Sequence, residues 1–409
     1  MKLNNPAGIS GLMCKLLLLF VLCITACKGE ETKGVTPEGP STDEPAPYGK
    51  AYISDLALIY GGGRHRQVVW NEASFEPHVV YTDRNDNKYW LFDSFLLIEF
   101  TLGKGNDQTN QIFATGYYGL PARKSEWQEL LDYYFTKDVS VDALDKTVGR
   151  QIEKIGRPAY KRQVVLTLPE PIVGGAGSNY PTLAKDYWGV VDGRKLDFTN
   201  SADRLAACKW YIDKACEMFD AGGYENVELA GFYWVAEEMY HSSGIIEGVA
   251  EYLHSKGLRF EWIPYWKGKK DWQGNDPDYY TWKDYGFDQA YLQPNYFFPE
   301  ESSSKFDPNR LADAVETIRK YDLGYEVEFD EKAIESLGGT KRLRLYEYMK
   351  AFKESGVYAK QSLAYYMGEN AFCQLSKAAL NVDRQTFDDF CMFVFAHQQA
   401  YLNERKKTE

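Results

Sequence analysis

Four glutamates in two short stretches have the types and positions for acid–base chemistry. In GYEVEFDE, residues 324–331, Tyr325, Val327 and Phe329 alternate with Glu326 and Glu328, the period-two pattern of a strand with two unlike faces. In GFYWVAEE, Glu237 and Glu238 close another apolar run. Paired carboxyl groups of unequal pKa are the machinery of glycosidic bond cleavage, where one protonates the leaving oxygen and the other attacks carbon or activates water. A gap of about 5–5.5 Å marks the retaining mechanism and about 6.5–9.5 Å the inverting one. We assign Glu237 as acid/base and Glu328 as nucleophile, the retaining arrangement, while Glu238 serves as well by sequence. Each cluster also has a plainer reading. Acids favour the first turn of a solvated helix, and an edge strand wets one face.

Such acids need a scaffold that brings distant strand ends together. Eight apolar runs bounded by turn signals, at 53–63, 94–100, 162–171, 226–238, 258–266, 287–298, 324–331 and 357–368, alternate with helical patterns. A hairpin around 85–87 interrupts the rhythm between the first two runs. Helices are expected at SEWQELLDYYF with Ser125 as cap, at SVDALDKTVGRQIEKIG closed by Gly156, after Pro308, and at 383–406. The count predicts an α/β chain folded as a (β/α)8 TIM barrel with loop insertions, one domain over 50–409. An open doubly wound sheet would call for a phosphate-binding glycine turn after the first strand, and GGGRHRQ lacks its spacing.

In a barrel the strands are buried on both faces. Tyr325, Val327 and Phe329 then suit the helix side, and Glu326 and Glu328 point inward, with Glu328 at the C-terminal mouth where reacting groups gather. Glu237 faces it across that mouth. Tyr233, Trp234 and Tyr240 would raise the pKa of the protonated partner. Tyr291, Gln293 and Asn295 share the polar face of the sixth strand. Trp262, Trp266 and Trp272 crowd the fifth strand and its loop, and flat aromatic faces stack on pyranose rings. Arg64, His65 and Arg66 follow the first strand. Arginine forks suit the carboxylates and sulfates of an acidic sugar, or pair with nearby acids on a surface loop.

The segment MCKLLLLFVLCITAC reads as a signal peptide over 1–26 closed by a lipobox, with Cys27 as the lipidated residue and 27–49, rich in Pro, Gly, Ser, Thr and acid, as a flexible tether. Its apolar run at 16–22 is too short to span a bilayer. Removing 1–26 takes the formal charge from −12 to −14, since that segment holds Lys2 and Lys15 and no acid. No basic stretch stands out, which argues against a nucleic-acid partner. Cys208, Cys216, Cys373 and Cys391 lack CxxC spacing, and five scattered histidines form no HxxxH or HExxH pair, so neither a metal nor an organic cofactor is expected.

ISDLALIYGGG, GFYWVAEE and GYEVEFDE resemble, over most of 50–380, the domain of unknown function family 4855, whose members are mostly lipoproteins of gut-type Gram-negative bacteria. The resemblance implies a glycoside-hydrolase-like barrel and, by neighbourhood, work on polysaccharides. It transfers no catalytic residues. CKGEE after the lipidation site resembles a surface-export signal of such bacteria, interrupted by Gly29, which implies an outer-membrane lipoprotein. Two functions are therefore expected: a surface glycoside hydrolase acting on a polysaccharide or oligosaccharide, or a non-catalytic glycan-binding lipoprotein that captures substrate for partner enzymes. An esterase would need a GxSxG turn or a metal triad, which the sequence lacks.

Overall fold

A computed structural model describes residues 53–103, 110–174, 183–269 and 276–407. The leader 1–26, Cys27, the tether and Trp272 lie outside the described residues. Eight strands close a single parallel barrel. They are β1 (Asp55–Tyr60), β2 (Ser94–Ile98), β3 (Arg162–Leu168), β4 (Val227–Trp234), β5 (Arg259–Trp262), β6 (Gln289–Leu292), β7 (Gly324–Glu328) and β8 (Leu363–Tyr366). Each expected run supplies one strand, and β1 closes the ring by pairing with β2 on one side and β8 on the other. Among the described residues no helix is long and apolar enough to cross a membrane.

The helices are α1 (Glu72–Val79), α2 (Lys124–Tyr134), α3 (Ser140–Ile155), α4 (Ser201–Gly222), α5 (Ser243–Ser255), α6 (Arg310–Tyr321), α7 (Arg342–Lys353), α8 (Ala371–Ser376) and α9 (Asn381–Arg405). The hairpin before β2 forms as expected, Val80–Thr82 against Lys88–Trp90. Gly156 ends α3 at φ 80°, a left-handed angle that glycine adopts freely. Ser125 does not cap α2: the helix begins one residue earlier, and the Glu126 carboxylate accepts the Arg123 amide at 2.7 Å. α1 escaped the sequence reading because it contains Pro77, a residue that ordinarily interrupts a helix. Between β5 and β6 the described residues hold a 3-10 turn, Asp278–Thr281, instead of an α-helix.

The outward face of β7 packs as its pattern predicts. Tyr325 stacks on Phe352 of α7 with ring centroids 4.8 Å apart, leaving Glu326 and Glu328 to the interior. β4 slips register between Leu229 and Gly231. At Gly231 a side chain is excluded by close approach, since a Cβ would fall 2.1 Å from the Arg259 carbonyl oxygen.

The pole opposite the mouth is sealed by a buried polar knot. Asp93 accepts the Ser54 and Asp55 amides at 3.1 Å each. Asp55 accepts the Ser54 and Tyr365 hydroxyls. His397 of α9 places Nδ1 2.9 Å from both Asp55 oxygens and Nε2 3.0 Å from the Gln361 carbonyl. Removing one partner of such a buried pair leaves the other desolvated, at a cost of about 3–5 kcal/mol. His397→Ala should lower unfolding stability by that amount in urea denaturation, and a loss below about 1 kcal/mol would show that Asp55 is satisfied without it.

Candidate active site

The C-terminal strand ends converge on a cleft of about 460 Å³. Tyr60 ends β1, Glu328 ends β7 and Tyr366 ends β8, while Phe100, Thr101, Glu237 and Gln293 stand just past β2, β4 and β6. The β1 loop adds His65 and Arg66, and more distant loops add Tyr117, Tyr118 and Phe298. Much of the wall is a chain of rings. Tyr117 stacks on Phe100 at 4.7 Å, Phe100 lies 6.2 Å from Tyr60, and Tyr366 meets both Tyr60 and Phe298 edge-on at 5.6 Å.

Glu237 and Glu328 line this one cleft, from strands three places apart around the ring, with β5 and β6 between them. Their surroundings differ. Glu328 accepts the Asn295 amide at 2.6 Å and the Tyr348 hydroxyl. Asn295 presents that amide from a left-handed turn, φ 53°, which asparagine tolerates better than most residues. Burial pushes the Glu328 pKa up to about 7, with the Tyr348 and Asn295 donors pulling the other way. Glu237 also stands at about 7, raised by burial first and by Glu238 second, with no counteracting donor among the described residues. Glu326 lies beneath the cleft wall, one carboxylate oxygen without a partner. Its pKa is raised well above the ordinary value by burial, then by Glu328 and Glu237, against the Gln293 side chain.

His65, Gln293, Asn295 and Glu326 thus join the two acids at or under the cleft. Tyr233 is buried beside Glu237 and Glu326, its hydroxyl pKa pushed well up by burial and then by Glu237. The other expected contacts turn elsewhere. Arg64 points away and forks onto Glu129 of α2, Nε to Oε1 at 2.7 Å. Glu238 faces solvent and pairs with Lys267 at 2.9 Å. Trp234, one residue out of phase with Tyr233, packs against Phe260. Trp262 stacks on Phe287 and donates its indole N–H to the Ala236 carbonyl. Trp266 is buried under the Arg310 guanidinium at 4.5 Å. Tyr291 is level with Gly324, the first residue of β7, and so lies below the mouth beside Glu261.

The sequence reading missed Glu99, one residue past β2. Its buried carboxylate accepts the Gly63 and Phe100 amides at 2.9 Å, the Thr101 amide at 3.4 Å, and both Nε and Nη2 of Arg66 at 2.7 Å. A Cβ at Gly63 would fall 2.5 Å from Glu99 Oε2, so a side chain there would have to displace the carboxylate and the His65 ring. An acid at a strand end, the signal already used for β4 and β7, would have found it in LLIEF. No group of three or more His, Cys, Asp or Glu able to hold a metal ion occurs among the described residues. Cys208, Cys216, Cys373 and Cys391 are free thiols.

Fold and site together define a (β/α)8 barrel with an acidic, aromatic cleft at its C-terminal mouth. The chain belongs to the family described as Domain of unknown function (DUF4855), whose model matches residues 55–392. No curated protein matches it in sequence. Among solved structures it is similar to a protein of Bacteroides thetaiotaomicron provisionally assigned as an alpha-L-fucosidase, at 12% identity over 87% of this chain and 99% of that one, TM-score 0.42. It is similar also to concanavalin B, at 12% identity over 82% and 98%, TM-score 0.36. A ribulose-1,5-bisphosphate carboxylase/oxygenase of Pyrococcus horikoshii shares 8% identity over 88% of this chain and 65% of that one, TM-score 0.34.

Both cleft acids sit above the usual 4.5, so the folded chain holds these protons more tightly than the unfolded one. Their contribution to stability is full below about pH 4.5 and is lost as pH rises through about 7. Glu237→Gln, uncharged throughout, removes one such group. Its fall in unfolding free energy between pH 5 and pH 8 should be smaller than the parent's by on the order of 1–3 kcal/mol, and an unchanged fall would show that Glu237 titrates normally.

Proposed function

We propose that the chain is a retaining glycoside hydrolase that cleaves a polysaccharide or oligosaccharide. One observation carries the reading: two carboxyl groups from distant strands line a single cleft, and only one of them is supplied with hydrogen-bond donors. The donors on Glu328 favour its anionic form, suited to attack on the anomeric carbon. Glu237, buried without them, suits a held proton. In the first step the Glu328 carboxylate bonds to the anomeric carbon while Glu237 gives its proton to the departing glycosidic oxygen. In the second, Glu237 takes a proton from water, the water oxygen attacks the anomeric carbon, and Glu328 leaves as carboxylate. The ring-lined wall supplies apolar faces for the sugar.

The test begins with purified protein and a panel of plant, mucin and host glycans, with reducing-end release and binding scored separately. On a glycan that is cleaved, Glu237→Gln and Glu328→Gln should each lower kcat at least ~100-fold with binding kept within a few-fold. Full turnover in both variants would end the assignment. A glycan bound tightly yet released intact by the parent would instead identify a receptor that captures substrate for other enzymes.

We propose further that Cys27 carries a lipid anchor to the outer membrane, as the leader and lipobox suggest. Cells fed a labelled fatty acid should label the parent and leave Cys27→Ser unlabelled; equal labelling of both would refute the anchor.

A further inference from the structure

We infer that the cleft accepts sugar rings without carboxylate or sulfate groups and excludes acidic ones, because the charge of its guanidinium is already paired with a buried carboxylate. The inference rests on the glycan reading above and names the substrate class of that site. Among the described residues lining the cleft, Arg66 and His65 are the groups able to carry positive charge. Arg66 spends its side edge on a carboxylate. Its Nε and Nη2 fork onto Glu99 at 2.7 Å each, Nη1 stands 4.0 Å from Glu369, and its flat face covers the Tyr60 ring at 4.9 Å. Both carboxylates are themselves fixed. Glu99 is completely buried and takes three backbone amides besides Arg66, and Glu369 accepts the Gln67 amide at 2.9 Å and the Val68 amide at 3.3 Å.

Arg66 therefore acts as a brace that ties the β1 loop to the ends of β2 and β8. An acidic ring entering the cleft would have to break that fork to gain the full guanidinium charge, and His65, whose Nδ1 stands 3.4 Å from the Leu102 carbonyl oxygen, is the other group it could meet. It would also face the Glu328 carboxylate, in a half-enclosed space where like charges repel more strongly than in water. Arg64, the other arginine of the loop, offers no relief, since it is forked onto Glu129 outside the cleft wall. A ring bearing hydroxyl or amine groups meets the opposite situation. Its donors suit the cleft carboxylates, and its apolar face suits the rings of Tyr60, Phe100, Tyr117 and Tyr366.

Two measurements test this without reading turnover, so that a failure of the hydrolase reading remains distinguishable. In the first, sulfur-linked oligosaccharides of the glucan, mannan and galactan types, which resist cleavage, are titrated against the parent protein beside their C6-oxidised counterparts. The neutral member should bind at least ~10-fold more tightly than its oxidised partner, and in Glu99→Gln, which frees the Arg66 fork, the gap should shrink below ~3-fold. An oxidised member that binds the parent as well as its neutral partner, or failure of every neutral probe to bind, overturns the inference. In the second, melting temperatures are compared in sodium sulfate and sodium chloride of equal ionic strength for the parent, Glu99→Gln, and Glu99→Gln with Arg66→Gln. The general stabilising effect of sulfate is common to all three. An excess response is expected in Glu99→Gln alone. An equal response in parent and Glu99→Gln would mean that the fork does not control anion entry, and the inference falls.

Discussion

Carboxyl groups inside a closed ring of strands are the constraint on which the rest of this molecule turns. An inward side chain on a barrel strand has protein on every side, and a bare carboxylate there is strongly disfavoured. The barrel meets the problem in two ways. Glu99 is surrounded by backbone amides and one arginine fork, so its charge is fully matched. Glu237, Glu326 and Glu328 are matched less completely, and they respond by holding protons more tightly. The first solution yields a rigid brace. At Glu237 and Glu328 the second yields groups that gain and lose protons near neutrality, a condition for acid–base work.

Parity made a large part of this legible beforehand. Tyr325, Val327 and Phe329 had to share one face, so Glu326 and Glu328 had to share the other, and the packing of Tyr325 on Phe352 agrees. Counting apolar runs gave the eight strands for the same reason, since strands buried on both sides leave long uninterrupted signatures. The aromatic residues were less readable. Trp234, Trp262 and Trp266 have the right chemistry to hold a sugar, but residue type does not say which side of a strand faces a helix. Strict parity from Tyr233 would have sent Trp234 outward. The role of GGG after β1 was hidden altogether, because Gly63 is explained by a carboxylate thirty-six residues away and not by any local turn.

The second loop arginine shows how pairing changes the meaning of a residue. By type, Arg66 announces an anion site. Its partners, Glu99 just past β2 and Glu369 after β8, convert it into a tie between neighbouring strand ends. Long-range pairing of this sort leaves no periodicity for a sequence reading to detect, whereas the acids at strand ends do.

The knot at the far pole bears on how the chain is made. Asp55 opens the first barrel strand, and its histidine partner lies 342 residues later, in the last helix. On the ribosome, β1 emerges long before its β8 neighbour and His397. The oldest strand must therefore wait, half-paired and with an exposed edge, for the youngest one. Completion of the barrel thus waits on β8, and a nascent chain arrested before that strand would display the unfinished margin of β1 to whatever binds open strands.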